Sequence, residues 1–345
     1  MSLQKDDERF MRRALIEAAK GFGRTSPNPA VGAVLVYRDQ IVARGCHARP
    51  GGLHAEIACL HNFGRPVPPE ATLYVTLEPC STTGRTAPCT DELIKAGLQK
   101  IVIGALDGNP RHNGKGVSQL RKAGLQIRVG VLGEQCTSLN EAFNKWIVTR
   151  QPFVIAKCGM SLDGRLSRRP GESRWITDPV ARRHAQALRA QVDAILIGAE
   201  TLRTDDPRLT VRGVSGARQP WRVVVTRSGK LPSKARLFSD RWAQHTLVYR
   251  RMSLAAVLRD LGKKEITSVL LEGGGQLLGE ALDAAVIDKV QIYVGPIFTG
   301  GPVPALAGRG VDLTTRAPQL RHVCYTRLDQ NVCVTGYLNT DKRSE

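Results

Sequence analysis

The chain has 345 residues, 42% of them hydrophobic and 23% charged, with a formal net charge of +19. That is the balance of a soluble globular protein long enough for two domains. No apolar run approaches the roughly 18 residues a membrane-spanning helix needs, and the opening MSLQKDDERFMRRALIEAA is no secretory signal, so a cytoplasmic protein without a membrane partner is expected.

Helix and strand patterns then alternate, which predicts an α/β chain. Residues 10–19 read as an amphipathic helix, and 31–37 and 40–43 as a hairpin about an Arg-Asp turn. Residues 54–62 read as a helix, 71–77 as a strand, 91–96 as a helix stopped by Gly97, and 100–105 as a strand. A helix over 117–122 and a strand over 126–132 follow. Residues 138–149 form one helix that runs into Arg150-Gln151-Pro152, which sets the domain boundary, 1–150 and 151–345. The second half shows strands near 153–158, 194–198, 222–226, 246–249, 268–271 and 289–294, with helices over 179–190, 253–261 and 275–284. The terminal RHVCYTRLDQNVCVTGYL alternates about an LDQN turn and predicts an antiparallel hairpin.

Eight cysteines in a reducing compartment are thiols, and those that cluster are candidates for metal or catalysis. HAE at residues 54–56 carries little meaning alone, because such triplets arise by chance. It gains a partner in TLEPCSTTGRTAPC, which contains Cys80 and ends in Cys89. Two thiolates and an imidazole supply three ligands of a tetrahedral zinc site with a fourth position open. Zinc there would acidify a bound water to a pKa of about 7. Glu56, two residues from His54, is placed to shuttle a proton rather than to bind metal. The layout matches the signature of zinc nucleobase deaminases, H-x-E followed by Pro-Cys and a second Cys. The plainer alternative is a four-ligand structural site completed by Cys59, His61 or His47. Eight residues separate the two cysteines, against the two usual in nucleic-acid and cytidine deaminases, which points to a different substrate class.

The stretches TSPNPAVGAVLV, GCHARPGGLHAE and YVTLEPCSTTGRTAPC resemble the deaminase half of the bifunctional riboflavin-biosynthesis deaminase/reductase family. AKCGMSLDGR, GESRWIT, GAETLRTDDPRLTVR and LLEGGG follow in the order found in its reductase half. The resemblance implies a cytidine-deaminase-like three-layer domain followed by a dihydrofolate-reductase-like α/β domain. It implies one Zn2+ on His54, Cys80 and Cys89, with Glu56 catalytic. Asn28, His47 and Arg85 would contact a phosphorylated ribosylaminopyrimidine. Gly159, Trp175, Thr201, Asp205, Gly274 and Gly275 would contact NADPH, and Ser173, Arg189, Leu209, Arg212 and Glu272 the substrate of the second step. Lys157 is a further phosphate or ribose contact. Deamination at the zinc site followed by NADPH-dependent reduction of the ribosyl group is the implied function, with no nucleic-acid partner and a homo-oligomeric assembly.

No G-x-G-x-x-G opens a helix here, and EGGG alone is as consistent with a tight turn as with a phosphate cradle. Taken singly, each arginine is more simply a solvated charge and Trp175 more simply core. The chain also departs from the family. Thr82-Thr83 stand where an aromatic or histidine pair is usual, and Asp107–Pro110 is D-G-N-P instead of D-P-N-P. Asp178 and Glu200 place acids where the family favours small residues. These two motivate a rival, a deaminase whose reductase half is degenerate. The high charge motivates a second, an RNA-acting deaminase, although aromatics for stacking are only 5%.

Overall fold

The computed structural model describes residues 2–82, 87–167 and 175–338. Their contacts divide the chain into two units, Met1–Arg150 and Gln151–Glu345. Among the described residues no helix is long and apolar enough to cross a membrane.

In the first unit α1 (Ser2–Ala19) precedes the hairpin β1 (Gly32–Tyr37) and β2 (Gln40–Cys46). Then come α2 (Ala55–Phe63), β3 (Thr72–Leu77), α3 (Cys89–Lys95), β4 (Lys100–Ala105), α4 (Lys115–Lys122) and β5 (Gln126–Val129). The sheet runs β2-β1-β3-β4-β5, antiparallel as far as β3 and parallel from β3 to β5. β3 is buried at all six positions, as a strand covered on both faces must be. Leu35, Leu73, Val75, Ile101 and Ile103 meet Leu93 and Leu120 on one face. Phe10, Met11 and Ala14 of α1 cover Val34, Tyr74 and Val102 on the other. This is the three-layer, cytidine-deaminase-like arrangement. Helix α2 approaches β2 so closely at Gly45 that a Cβ there would lie 2.3 Å from the Ala55 carbonyl oxygen. A glycine is therefore needed to seat the helix that carries Glu56.

The single helix expected over 138–149 is two, α5 (Gly133–Leu139) and α6 (Glu141–Thr149), broken at Asn140. The break has a tertiary cause. Asn140 is 4% exposed, and its side chain accepts from Ala30 N at 2.8 Å and donates to Ala30 O at 3.0 Å.

The second unit contains β6 (Phe153–Ser161), β7 (Arg165–Ser167), α7 (Pro179–Arg189), β8 (Ala194–Gly198), α8 (Ala199–Asp205), β9 (Trp221–Thr226) and α9 (Arg236–Ser239). β10 (Thr246–Arg250), α10 (Leu254–Lys263), β11 (Ser268–Leu271), α11 (Gly275–Asp283), β12 (Lys289–Gly295) and the short β13 (Val303–Pro304) follow. The hairpin β14 (Leu320–Leu328) and β15 (Asn331–Leu338) closes the series. Its eight-stranded sheet has the order β10-β9-β8-β11-β6-β12-β15-β14, parallel from β10 to β12 and antiparallel across the final hairpin. This is the dihydrofolate-reductase-like α/β architecture. Val154, Leu196, Val269 and Leu271 pack with Leu258, Leu261 and Leu278 of α10 and α11. Each such buried side chain stabilises the unit by roughly 1.5–3 kcal/mol. Thr201, Glu272 and Gly274, expected at the second site, lie past the carboxyl ends of β8 and β11, where open α/β sheets bind ligands.

Candidate active sites

His54 sits at the N-cap of α2 with extended backbone (φ −69°, ψ 158°), which turns its ring away from the helix. Cys80 lies in the loop after β3, and Cys89 is the first residue of α3. Their ligand atoms converge. His54 Nδ1 is 3.1 Å from Cys89 Sγ and 3.5 Å from Cys80 Sγ, and all three atoms lie within 4.8 Å of one another. Bonds of about 2.1 Å to nitrogen and about 2.3 Å to sulfur at a tetrahedral zinc place such atoms roughly 3.5 Å apart. Geometry and donor set both fit the ion.

Among the described residues no fourth His, Cys, Asp or Glu joins this group. Cys59 is buried, and burial pushes its thiol up to about 12. His47 has both ring nitrogens engaged. Nδ1 faces the Leu53 carbonyl at 3.0 Å and Nε2 faces the Asn28 amide nitrogen at 3.2 Å. That assigns the proton to Nδ1, and burial lowers the ring's pKa, so the imidazole is neutral. His47 thereby ties Asn28 to Leu53, the residue before His54.

The two thiols titrate as a pair. The hydrogen bond from Cys89 brings Cys80 down to about 4 against its burial, helped by His54 and by the Cys89 N–H at 3.3 Å. The same bond, with burial, drives Cys89 up. Glu56 is 3% exposed, and burial raises its pKa to about 6, partly offset by its own backbone N–H and by His54.

Two residues not singled out in the sequence brace this centre. Glu78 is 5% exposed. Its carboxylate accepts from the N–H groups of Asp107 (3.1 Å), Gly114 (2.9 Å) and Val117 (3.1 Å). It thereby clamps the loop before α4 to the strand end that leads into Cys80. That loop brings His112 Nδ1 to 3.4 Å from Thr82 Oγ1, so an imidazole stands beside the threonine that departs from the family. Asp107 opens the D-G-N-P turn and caps it through Asn109 N at 2.8 Å. Arg85 and Thr83 lie outside the described residues.

In the second unit Glu272 follows β11. Arg189 at the end of α7 forks onto it, Nε to Oε1 at 2.7 Å and Nη2 to Oε2 at 2.6 Å. Lys157 of β6 lies 4.0 Å away. Burial alone would raise the Glu272 pKa, but Lys157 and Arg189 outweigh it and hold the carboxyl at about 2. Arg189 also donates Nη1 to Thr210 O at 3.3 Å, so it presents no free fork. Arg212 is exposed and donates its N–H to Gln186 at 3.3 Å. Leu209 is buried, with φ +49°.

Thr201 of α8 accepts from Gly274 N at 3.2 Å, which joins two expected cofactor contacts. The glycine run is not a left-handed turn. A Cβ at Gly275 would lie 2.0 Å from the Pro304 carbonyl oxygen, whereas one at Gly274 would meet nothing nearer than Thr201 Oγ1 at 3.7 Å. Gly275 serves packing, and Gly274 leaves its side open. Gly159 lies against Thr177. Trp175 is 71% exposed with Arg182 4.7 Å over its ring, so it is not core. Asp205 ends α8 with an exposed side chain, and partial desolvation raises its pKa. Ser173 lies outside the described residues.

The structure also accounts for the two unusual acids. Asp178 caps α7, accepting from Ala181 N at 2.8 Å, with Pro179 at the first helical position. Glu200 is exposed and pairs with Arg203 at 2.5 Å. Neither supports a degenerate second half.

Comparison with known proteins gives two family matches. Residues 4–105 match the cytidine and deoxycytidylate deaminase zinc-binding region, and residues 152–334 match the RibD C-terminal domain. The riboflavin biosynthesis protein RibD of Synechocystis is 38% identical over 96% of each chain. The structure of Acinetobacter baumannii RibD superposes with a TM-score of 0.89 at 33% identity, covering 97% of this chain and 99% of that one. A diaminohydroxyphosphoribosylaminopyrimidine deaminase/5-amino-6-(5-phosphoribosylamino)uracil reductase from Thermotoga maritima superposes with 0.90 at 34% identity, over 97% and 99%.

Proposed function

Because the chain belongs to the RibD family of bifunctional riboflavin-biosynthesis deaminase/reductases, we propose that its two units act on one substrate in turn. Residues 1–150 remove the exocyclic amine of a diaminohydroxyphosphoribosylaminopyrimidine, and residues 151–345 reduce the ribosyl group of the resulting phosphoribosylaminouracil with NADPH. The observation that carries this reading is the convergence of His54 Nδ1 with the sulfurs of Cys80 and Cys89 beside a buried Glu56.

Zinc held by these three residues supplies a Lewis acid that brings water's pKa to about 7. Glu56 takes the proton of the attacking water and delivers it to the departing amine. A pKa of about 6 suits a group that must both gain and lose a proton near neutrality. Asn28 and neutral His47, joined at 3.2 Å, face the pyrimidine and ribose phosphate, and Arg85, outside the described residues, is assigned to the phosphate by the family pattern.

NADPH, when bound, supplies the hydride. Gly159, Trp175, Thr201, Asp205, Gly274 and Gly275 form its side of the second site. Lys157, Arg189 and Glu272 orient the ribosyl chain, with the Glu272 carboxylate accepting from sugar hydroxyls. Because Arg189 is committed to Glu272 and Thr210, the phosphate falls chiefly to Arg212, with Ser173 and the main chain of Leu209. Work in the cytoplasm, as a homo-oligomer, belongs to the same reading.

The test is incubation of the full-length enzyme with the diaminopyrimidinone ribosyl phosphate and NADPH, followed by mass measurement. Deamination replaces an N–H by O, and reduction adds two hydrogens. Glu56→Gln is expected to keep its zinc and its reductase while deamination falls about 10²–10⁴-fold. A variant that deaminates at the wild-type rate would remove Glu56 from the mechanism.

A further inference from the structure

Away from the candidate site of its own unit, the second unit carries a pocket of about 590 Å³, within the range of small-molecule sites. Arg218, Gln219, Trp221, Arg241, Trp242 and His245 line it. Two of the chain's four tryptophans thus meet at one place. His245 stands between them, with ring centroids 5.1 Å from Trp221 and 5.5 Å from Trp242. Trp221 opens β9 and pairs with Ala194, the first residue of β8. The pocket therefore lies at the amino-terminal edge of the parallel strands, whereas Gly198 ends β8 and Glu272 and Gly274 follow β11.

Core filling does not account for this cluster. Trp221 packs one side against the core, yet both indoles are only half-buried. Arg241 lies 5.3 Å over the Trp242 ring, and no carboxylate is among the lining residues. The nearby acids are committed. Asp240 accepts from Arg222 at 2.7 Å and from Trp242 N at 2.9 Å. Asp193 uses Oδ2 on Thr267 and Ser268, and its Oδ1 is 3.7 Å from Arg218. Indole and imidazole faces beside two guanidinium groups select a flat, anionic ligand.

We propose that this pocket binds a planar heteroaromatic monophosphate, its ring stacked among Trp221, Trp242 and His245 and its phosphate held by Arg218 and Arg241, and that occupancy is transmitted to the reductase site. The route is a continuous run of hydrogen bonds. Gln219 accepts from Val211 N at 2.8 Å and donates to Val211 O at 3.2 Å. The adjacent Thr210 carbonyl accepts from Arg189 at 3.3 Å, and Arg189 forks onto Glu272. A ligand that shifts the Gln219 wall thus moves the segment between Leu209 and Arg212.

Full-length protein is titrated with flavin mononucleotide, read by ring fluorescence, and with adenosine monophosphate, read by tryptophan quenching. Riboflavin and inorganic phosphate serve as single-feature controls. The expected result is saturable binding of one or both monophosphates, with each control about tenfold weaker or worse, and a changed reductase KM at saturation. Trp242→Ala and Arg241→Glu each weaken binding about tenfold or more, Trp242→Phe restores most of it, and all three keep the ligand-free reductase kcat within about twofold and an unchanged circular dichroism spectrum. Absence of saturation, indifference to both variants, or displacement of the monophosphate by NADPH at its own KM would each overturn the site. Tighter binding of a single-stranded oligonucleotide would overturn the ligand class, and binding with unchanged reductase kinetics would overturn the coupling. Because binding is read directly, these outcomes are distinct from failure of the proposed deamination and reduction.

Discussion

Replacing Asn140 by aspartate alters one atom of a buried clamp and should produce a stability loss that depends on pH. Asn140 is 4% exposed, with one bond to Ala30 N and one to Ala30 O. In an ionised aspartate the second bond becomes an oxygen facing the Ala30 carbonyl oxygen. The lost partner and the buried charge together cost about 3 kcal/mol. A protonated carboxyl regains a donor and avoids the penalty. The folded-state pKa must therefore rise above its unfolded value near 3.9, by roughly two units at 1.36 kcal/mol each, to about 6. Between those values the folded variant binds more protons than the unfolded, so its stability falls as pH rises through that window. About 2.7 kcal/mol is lost relative to wild type at pH 8 and about 1.4 kcal/mol at pH 5. At about 2–4 °C per kcal/mol, the loss is roughly 5–11 °C at pH 8 and about half that at pH 5. Calorimetry of full-length variant and wild type at both pH values measures it, following the transition that a zinc chelator lowers. Because Asn28 lies two residues from Ala30, deaminase KM should rise more than kcat falls. An equal loss at both pH values, or a loss below about 1 kcal/mol at pH 8, would refute the reasoning.

Gly275→Ala, whose Cβ would lie 2.0 Å from the Pro304 carbonyl, should destabilise the second unit by several degrees in thermal unfolding. Gly274→Ala, with 3.7 Å to its nearest neighbour, should leave stability nearly unchanged and raise KM for NADPH. Glu272→Gln breaks a buried fork and should cost about 3–5 kcal/mol, lowering reductase activity while deamination persists. The Glu272 pKa is held at about 2, below its unfolded value, so its stabilisation is present above about pH 4.3 and is lost as pH falls toward 2. Acid-unfolding curves of the variant should lack that limb. His112→Ala removes the imidazole 3.4 Å from Thr82 and should raise deaminase KM a few-fold. Steady-state kinetics check it, and an unchanged KM would make His112 a bystander.

What the sequence made legible follows the range of each signal. β4, β8 and β11 lie where their apolar runs place them, because a strand buried on both faces leaves a continuous pattern. The cluster able to hold a metal was legible for another reason. Metal chemistry restricts residue type, so His54, Cys80 and Cys89 could be named without a fold. Glu78 and Asn140 left no such trace. The partners of Asn140 are 110 residues away and those of Glu78 are 29–39 away, and all are main-chain atoms, which no residue type marks in a sequence. The segment 133–149 therefore read as one helix without its first turn and with no break, because an asparagine in that pattern carries only a weak local preference. The short α8 and β7 fell below the length at which periodicity is informative.

Asp178 and Glu200 show how a misreading arises from the wrong scale of comparison. Both acids stand where the family favours small residues, and set against that pattern alone they point to a degenerate second half. Asp178-Pro179 is, locally, a helix N-cap followed by proline at the first turn, a pairing that backbone physics explains without reference to any ligand. Glu200 lies three residues before Arg203, the spacing at which helical side chains meet. Local rules account for both residues, so a long-range penalty need not be invoked. The arginines run the other way. Arg189 satisfies the local expectation of a cation in a helix's last turn, yet its decisive contact is with Glu272, 83 residues later. Local sufficiency removes a residue from suspicion only when its polar atoms are already satisfied nearby. A guanidinium with five donors at a helix end is not, and it has to find the rest of its partners across the fold.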